Sequence, residues 1–100
     1  MKIAAPKEIF NGENRVALTP ESAKLLQKLG HECMVQAGAG ERARFSDQNY
    51  RDADVKVVKS GASLWKQADV IVKVRAPTSA EIQKFTKGQI LISFIWPAQN

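Results

Sequence analysis

A single arginine sits in a polar loop between a strand-like opening and a helix start. The segment Pro6-Lys7-Glu8 through Glu13-Asn14-Arg15-Val16-Ala17-Leu18-Thr19-Pro20 follows Lys2-Ile3-Ala4-Ala5 and ends in a helix-opening pair. A guanidinium on such a loop is suited to hold a carboxylate or phosphate through two parallel hydrogen bonds. Arg15 is either packed against a protein carboxylate as structure or turned toward a ligand. Its place beyond the C-terminal end of a strand, where open α/β sheets bind ligands, points toward a site. Lys73 is the only charge within Val70 to Val74. A lysine in so apolar a run either snorkels from the strand end or serves as a cation in a cleft. Ala76-Pro77 ends that strand just afterwards, so Arg15 and Lys73 are expected on one edge of the sheet, placed to share one small anion.

Gly38-Ala39-Gly40-Glu41-Arg42-Ala43 fits the spacing of the dinucleotide fingerprint, with alanine at the third small position. A working fingerprint opens a helix at once, so that a pyrophosphate lies on its N-terminus. Here the next helix start is Ser46, and the stretch Val57 to Ser60, where the acidic partner is due, contains none. The run therefore reads as a turn with glycines at positive φ, and no cofactor-binding residue is expected in this chain. His31, the only histidine, follows Gly30 at a helix end and shares no ligand spacing with Asp, Cys or a second His, so no metal site is expected. Cys33 reads as core. No nucleophile stands with a base, and no catalytic residue is assigned.

Short apolar runs alternate with helix signals, which predicts an α/β fold with a mostly parallel sheet. Strands are expected at Lys2–Ala5, Glu32–Gln36, Val55–Val58, Asp69–Val74 and Gln89–Ile95. Thr19 reads as an N-cap with Pro20 at the first helical position, and Gly30 closes that helix in a left-handed turn. Leu25, Leu26 and Leu29 are expected to form its apolar stripe. Ser46 opens a second helix with a Phe45–Tyr50 staple, and Ser60 to Ala68 a third with Leu64 and Trp65 inward. Thr78-Ser79-Ala80-Glu81 has capping-box spacing and predicts a fourth, with Ile82 and Phe85 inward. The fold class is thus a three-layer, mostly parallel open sheet with flanking helices, Rossmann-like or flavodoxin-like. The ending Trp96-Pro97-Ala98-Gln99-Asn100, without a closing helix, reads as a truncation; the alternative is a complete domain with an edge strand last.

A chain of 100 residues, 44% hydrophobic and 25% charged, is the size and composition of one soluble globular domain. Its longest apolar stretch, Ile90 to Pro97, is too short for a membrane-spanning helix, and no secretory signal is read at its start. A lone cysteine agrees with a reducing, cytosolic setting. The net charge of +5 is spread from Lys2 to Lys87 among acidic residues, without a dense run or stacking aromatics, which argues against a nucleic-acid partner.

Several motifs carry a resemblance across the whole chain: Glu13-x-Arg15-Val16-Ala17-Leu18-Thr19-Pro20, Leu29-Gly30-His31-Glu32, Gly38-Ala39-Gly40, Phe45-Ser46-Asp47, Ala68-Asp69-Val70-Ile71-Val72-Lys73-Val74 and Gly88-Gln89. In order, they resemble the N-terminal domain shared by alanine dehydrogenases and the alpha subunit of proton-translocating NAD(P) transhydrogenase. The resemblance implies that residues 1–100 are part of a substrate-side lobe, with NAD(H) held mainly by a Rossmann lobe outside this chain. In the dehydrogenases of the family, the residues matching Arg15 and Lys73 contact the substrate's carboxylate side, and a histidine after the last strand is the acid–base group. Trp96 stands where that histidine is expected, and an indole has no proton to exchange near neutral pH. Ser93 to Asn100 resembles the transhydrogenase alpha subunit instead. The function so implied is hydride transfer from NADH to NADP+ coupled to proton translocation, which needs no such histidine because both partners are nicotinamides. NADP(H) would sit on a partner component beside a membrane-spanning one. The chain itself would be inactive alone, not inserted in the membrane, homodimeric in its complex and on the cytoplasmic side of the bacterial inner membrane. An alanine dehydrogenase lobe and a non-catalytic anion-binding or docking module are the other readings.

Overall fold

The computed structural model describes residues 1–95. Trp96–Asn100, which bear the expectations of a truncated end and of a tryptophan in place of an acid–base histidine, lie outside the described residues. Five strands alternate with helices: β1 Lys2–Ala5, α1 Pro20–Lys28, β2 Glu32–Gln36, α2 Asp47–Asp52, β3 Lys56–Val58, α3 Gly61–Gln67, β4 Val70–Arg75, α4 Ser79–Ile82 and β5 Ile90–Ile95. All pairings are parallel and the order is β3-β2-β1-β4-β5. The chain winds outward from β1 in one direction, then returns and continues from β4 in the other. Right-handed crossovers running in opposite directions place their helices on opposite faces of the sheet. Alternation of side chains along β1 and β2 divides the core accordingly. Ala5, Cys33 and Val35 join Ala23 of α1 and Tyr50 of α2 on one face, while Ala4 and Met34 join Leu64, Trp65 and Ile71 on the other. The expected three-layer architecture is the one observed.

The helix starts follow from local chemistry. Thr19, Ser46, Ser60 and Thr78 each accept a hydrogen bond from the backbone N–H three residues on, satisfying a donor that the first turn leaves unpaired. Gly30 adopts φ +94° just past α1, as a helix-closing glycine should. Phe45 and Tyr50 meet edge to face, and Phe85 packs edge-on against Trp65.

Two expectations about buried faces are corrected. On α1, Leu25 and Leu29 are exposed, and the helix instead turns Ala23 and Leu26 toward the core. The small Ala23 lets the helix approach β2 closely enough for the Cys33 thiol to reach its carbonyl. On α4, Ile82 is exposed because Glu81 occupies the inward position of a helix only one turn long.

Candidate functional site at the centre of the sheet

The strand order reverses between β1 and β4, and the crevice outside the carboxyl ends of two such strands is where open α/β sheets bind ligands. β1 pairs with β4 only through Ile3–Val70 and Ala4–Ile71, and Pro6, which has no N–H to offer, ends it. β4 therefore overruns its neighbour. The loop after β1 supplies the missing partner: the buried Glu8 carboxylate accepts hydrogen bonds from the backbone N–H groups of Val74 (3.0 Å) and Arg75 (3.2 Å).

Lys73 lies at this overrun and is 1% exposed. It does not snorkel. Its ammonium donates to Glu81 Oε2 at 3.1 Å and stands 3.6 Å from Glu8 Oε1. The other oxygen of Glu81 accepts from the N–H of Thr78, so one carboxylate both closes the start of α4 and neutralises the buried lysine. A buried cation so placed has its desolvation offset by two carboxylates, and removal of either partner would leave an uncompensated charge.

Arg15 is held differently. Its Nε and Nη2 form a side-on pair with the two oxygens of Glu13, each at 2.9 Å, while its side chain stays 61% exposed. It is pinned to a protein carboxylate, the structural one of the two expected alternatives, while its side chain stays exposed. Glu13 also accepts from Arg75 Nε at 2.8 Å, and the Arg75 guanidinium stands over the Phe10 ring, its Cζ 4.2 Å from the centroid. The Arg15 guanidinium, aided by Arg75 and opposed by burial, holds the Glu13 carboxyl down at about 2. Glu13 in turn raises the already high pKa of Arg15. Lys73 and Arg15 stand at the same end of the sheet and both feel Glu8, yet each is bonded to its own carboxylate rather than to its neighbour's. Beside them a cleft of about 280 Å³ is lined by Ile9, Phe10, Lys73, Arg75 and Thr78.

Glu8, Glu13, Arg75 and Glu81 carry the site's electrostatics and were not singled out as site residues from the sequence. One signal was available: a lysine within an apolar strand, if it does not snorkel, is almost never fully buried unless paired, so a buried Lys73 called for an acidic partner.

The Gly38–Ala43 turn is built for packing. A Cβ on Gly40 would lie 2.6 Å from the Tyr50 ring and 2.9 Å from the Phe45 carbonyl. Gly38 takes φ +80° and donates its N–H to Asp47. Only a single 3-10 turn, Glu41–Ala43, follows, and α2 begins later at its Ser46 cap. These residues do not fit a dinucleotide pyrophosphate, which wants a helix N-terminus directly behind the glycines. His31 faces the N-terminal amine, and Cys33 is buried, which pushes its thiol pKa up. Among the described residues no His, Cys, Asp and Glu cluster could hold a metal ion, and no helix is long and apolar enough to cross a membrane.

The family described as "Alanine dehydrogenase/PNT, N-terminal domain" matches residues 4–100. The chain belongs to that family. It is 58% identical over all 100 residues to NAD(P) transhydrogenase subunit alpha of Cereibacter sphaeroides, covering 19% of that protein. It is 45% identical over 95 residues to alanine dehydrogenase of Halomonas elongata, covering 26% of it. Among solved structures, transhydrogenase from Sinorhizobium meliloti superposes with a TM-score of 0.87 at 39% identity, over 95% of this chain and 28% of that one. An L-alanine dehydrogenase superposes as well, with a TM-score of 0.88 at 40% identity, over 93% of this chain and 26% of its own. The chain thus spans about a fifth to a quarter of the curated relatives it matches, and the fold alone does not separate the two activities within the family.

Proposed function

We propose that this chain is the N-terminal lobe of the NAD(H)-side component of a proton-translocating NAD(P) transhydrogenase. Identity along its full length to a transhydrogenase alpha subunit, 58% against 45% for an alanine dehydrogenase, carries this reading. Trp96, where the family's dehydrogenases are expected to place a histidine, supports it. In the reaction a hydride passes from NADH to NADP+, leaving NAD+ and NADPH, with no proton exchanged at a side chain. NAD(H) is held mainly by a Rossmann lobe beyond residue 100, NADP(H) by a partner component, and a membrane-spanning component completes the assembly. This lobe contributes a wall beside the reacting nicotinamide, with Arg15 and Lys73 near the cleft. It works as a homodimer on the cytoplasmic side of the bacterial inner membrane, and alone it is inert, because proximity lowers a barrier only when both reactants are held in register.

The test extends the polypeptide through the second lobe and assays two reactions. With the NADP-binding component added, hydride transfer from NADH to NADP+ is expected, while alanine-dependent formation of NADH is expected to be absent. Alanine oxidation by the extended protein would overturn the assignment in favour of the dehydrogenase.

A further inference from the structure

Three guanidiniums meet at one residue. Arg15 comes from the loop after β1, Arg42 from the 3-10 turn after β2, and Arg75 from the end of β4. Arg15 and Arg75 share the Glu13 carboxylate, with Arg15 Nη2 and Arg75 Nε both bonded to the same Oε1 at 2.9 and 2.8 Å. Arg42 Nη1 donates to the Glu13 carbonyl at 3.5 Å. Like charges do not collect on this scale without a reason, and one carboxylate does not balance three cations. Two other carboxylates stand near. Glu8 is committed to two backbone amides and Lys73, and Glu81 to Lys73 and Thr78, so neither hydrogen-bonds an arginine side chain, although Glu8 adds to the field at Arg15. Glu13 itself is buried. Among the described residues, Nη1 of Arg15 and both Nη atoms of Arg75 donate to no protein group.

We propose that Arg15, Arg42 and Arg75, gathered by Glu13, form a binding site for the dianionic phosphate group of a small molecule. The excess charge left after Glu13 matches a dianion better than a single carboxylate. Planar forks carried by three separate elements suit a tetrahedral oxyanion, whose oxygens point to separate donors. Arg75 also borders the 280 Å³ cleft, so the organic part of a phosphate ester has room beside its own anchor. The proposal does not rest on the transhydrogenase reading: it shares Arg15 with the surroundings of the cleft and adds Arg42 and Arg75, to which that reading gives no role.

The experiment follows the Nε–H signals of the arginines in the 100-residue chain by nitrogen–proton NMR. Inorganic phosphate is added slightly above neutral pH, with chloride at matched ionic strength and acetate as parallel titrations. Saturable shifts of the Arg15, Arg42 and Arg75 signals with phosphate, much weaker with acetate, are expected. Arg42→Ala and Arg75→Ala should each weaken phosphate binding by about tenfold, as loss of a charge-assisted contact does. Arg42 is exposed and bonds one carbonyl, so its variant decides the matter if Arg75→Ala fails to fold. Shifts that track chloride, equal binding of acetate, or unchanged phosphate affinity in Arg42→Ala would overturn the site.

Discussion

Glu13 is the residue on which the site's charge turns, and its titration has a definite sign. Its carboxyl falls from 4.5 to about 2 in the folded chain because Arg15 and Arg75 bond its ionised form. A group whose folded pKa is depressed contributes stability that is present above its unfolded pKa and lost as pH falls through the folded value. Glu13→Gln keeps the side chain's shape but removes that titration. Thermal melts of the two proteins should therefore differ most above pH 4.5, with the parent the more stable, and should converge as the pH falls toward about 2. A gap of constant size across that window would show that Glu13 does not draw its stability from these arginines. Lys73 teaches a related lesson, because its depth depends in part on a group distant in sequence, beside the nearby Glu81. Glu8 lies 65 positions away, and nothing in the run Val70 to Val74 announces it.

At the scale of elements, the turn between β2 and α2 is held by the fit of Gly40 under Tyr50, whose hydroxyl donates to the Leu18 carbonyl at 2.7 Å. Gly40→Ala drives a methyl into the ring and into the Phe45 carbonyl, both firmly placed. It should cost about 1–3 kcal/mol, as overpacking typically does. Urea unfolding followed by tyrosine and tryptophan fluorescence measures this, and a cost near zero would mean the ring has room to retreat. The helix boundaries, the five strands and the fold class were legible in the sequence because caps, prolines and apolar runs are local signals. The inward faces of α1 and α4 were less so. Leu25 and Leu29 have the spacing of a stripe, but the close approach permitted by Ala23 rotates α1 by its own logic. Ile82 is the more apolar residue of α4, yet the buried ammonium of Lys73 claims the inward position for Glu81. At the site, Arg15 and Lys73 stood out by their settings. Their carboxylates did not: Glu13 and Glu81 lie close in sequence but look like ordinary polar loop and cap residues, and Glu8 meets Lys73 only once β1 and β4 become neighbours.

For the molecule as a whole, the two helical layers do not cover the sheet evenly. α1 and α2 shield β1 to β3 on one face, and the same face of β5 carries Ile90, Ile92 and Phe94, each 46–59% exposed. An apolar edge strand of this kind favours association. Ile92→Lys should lower light scattering in concentrated solution while changing the melting temperature little, since the side chain it replaces is half exposed. Unchanged scattering would show that this face is not what draws copies together. The reversal of strand order has a kinetic side too. The first half of the chain, through β3, and the second, from β4 onward, each have local contacts to form early, but the β1–β4 seam joins residues nearly seventy positions apart. The Glu8 carboxylate grips the Val74 and Arg75 amides across that seam. Closure of this one joint is therefore the event that turns two partly formed pieces into a single cooperative unit, and the protection of those two amides from solvent exchange is its clock.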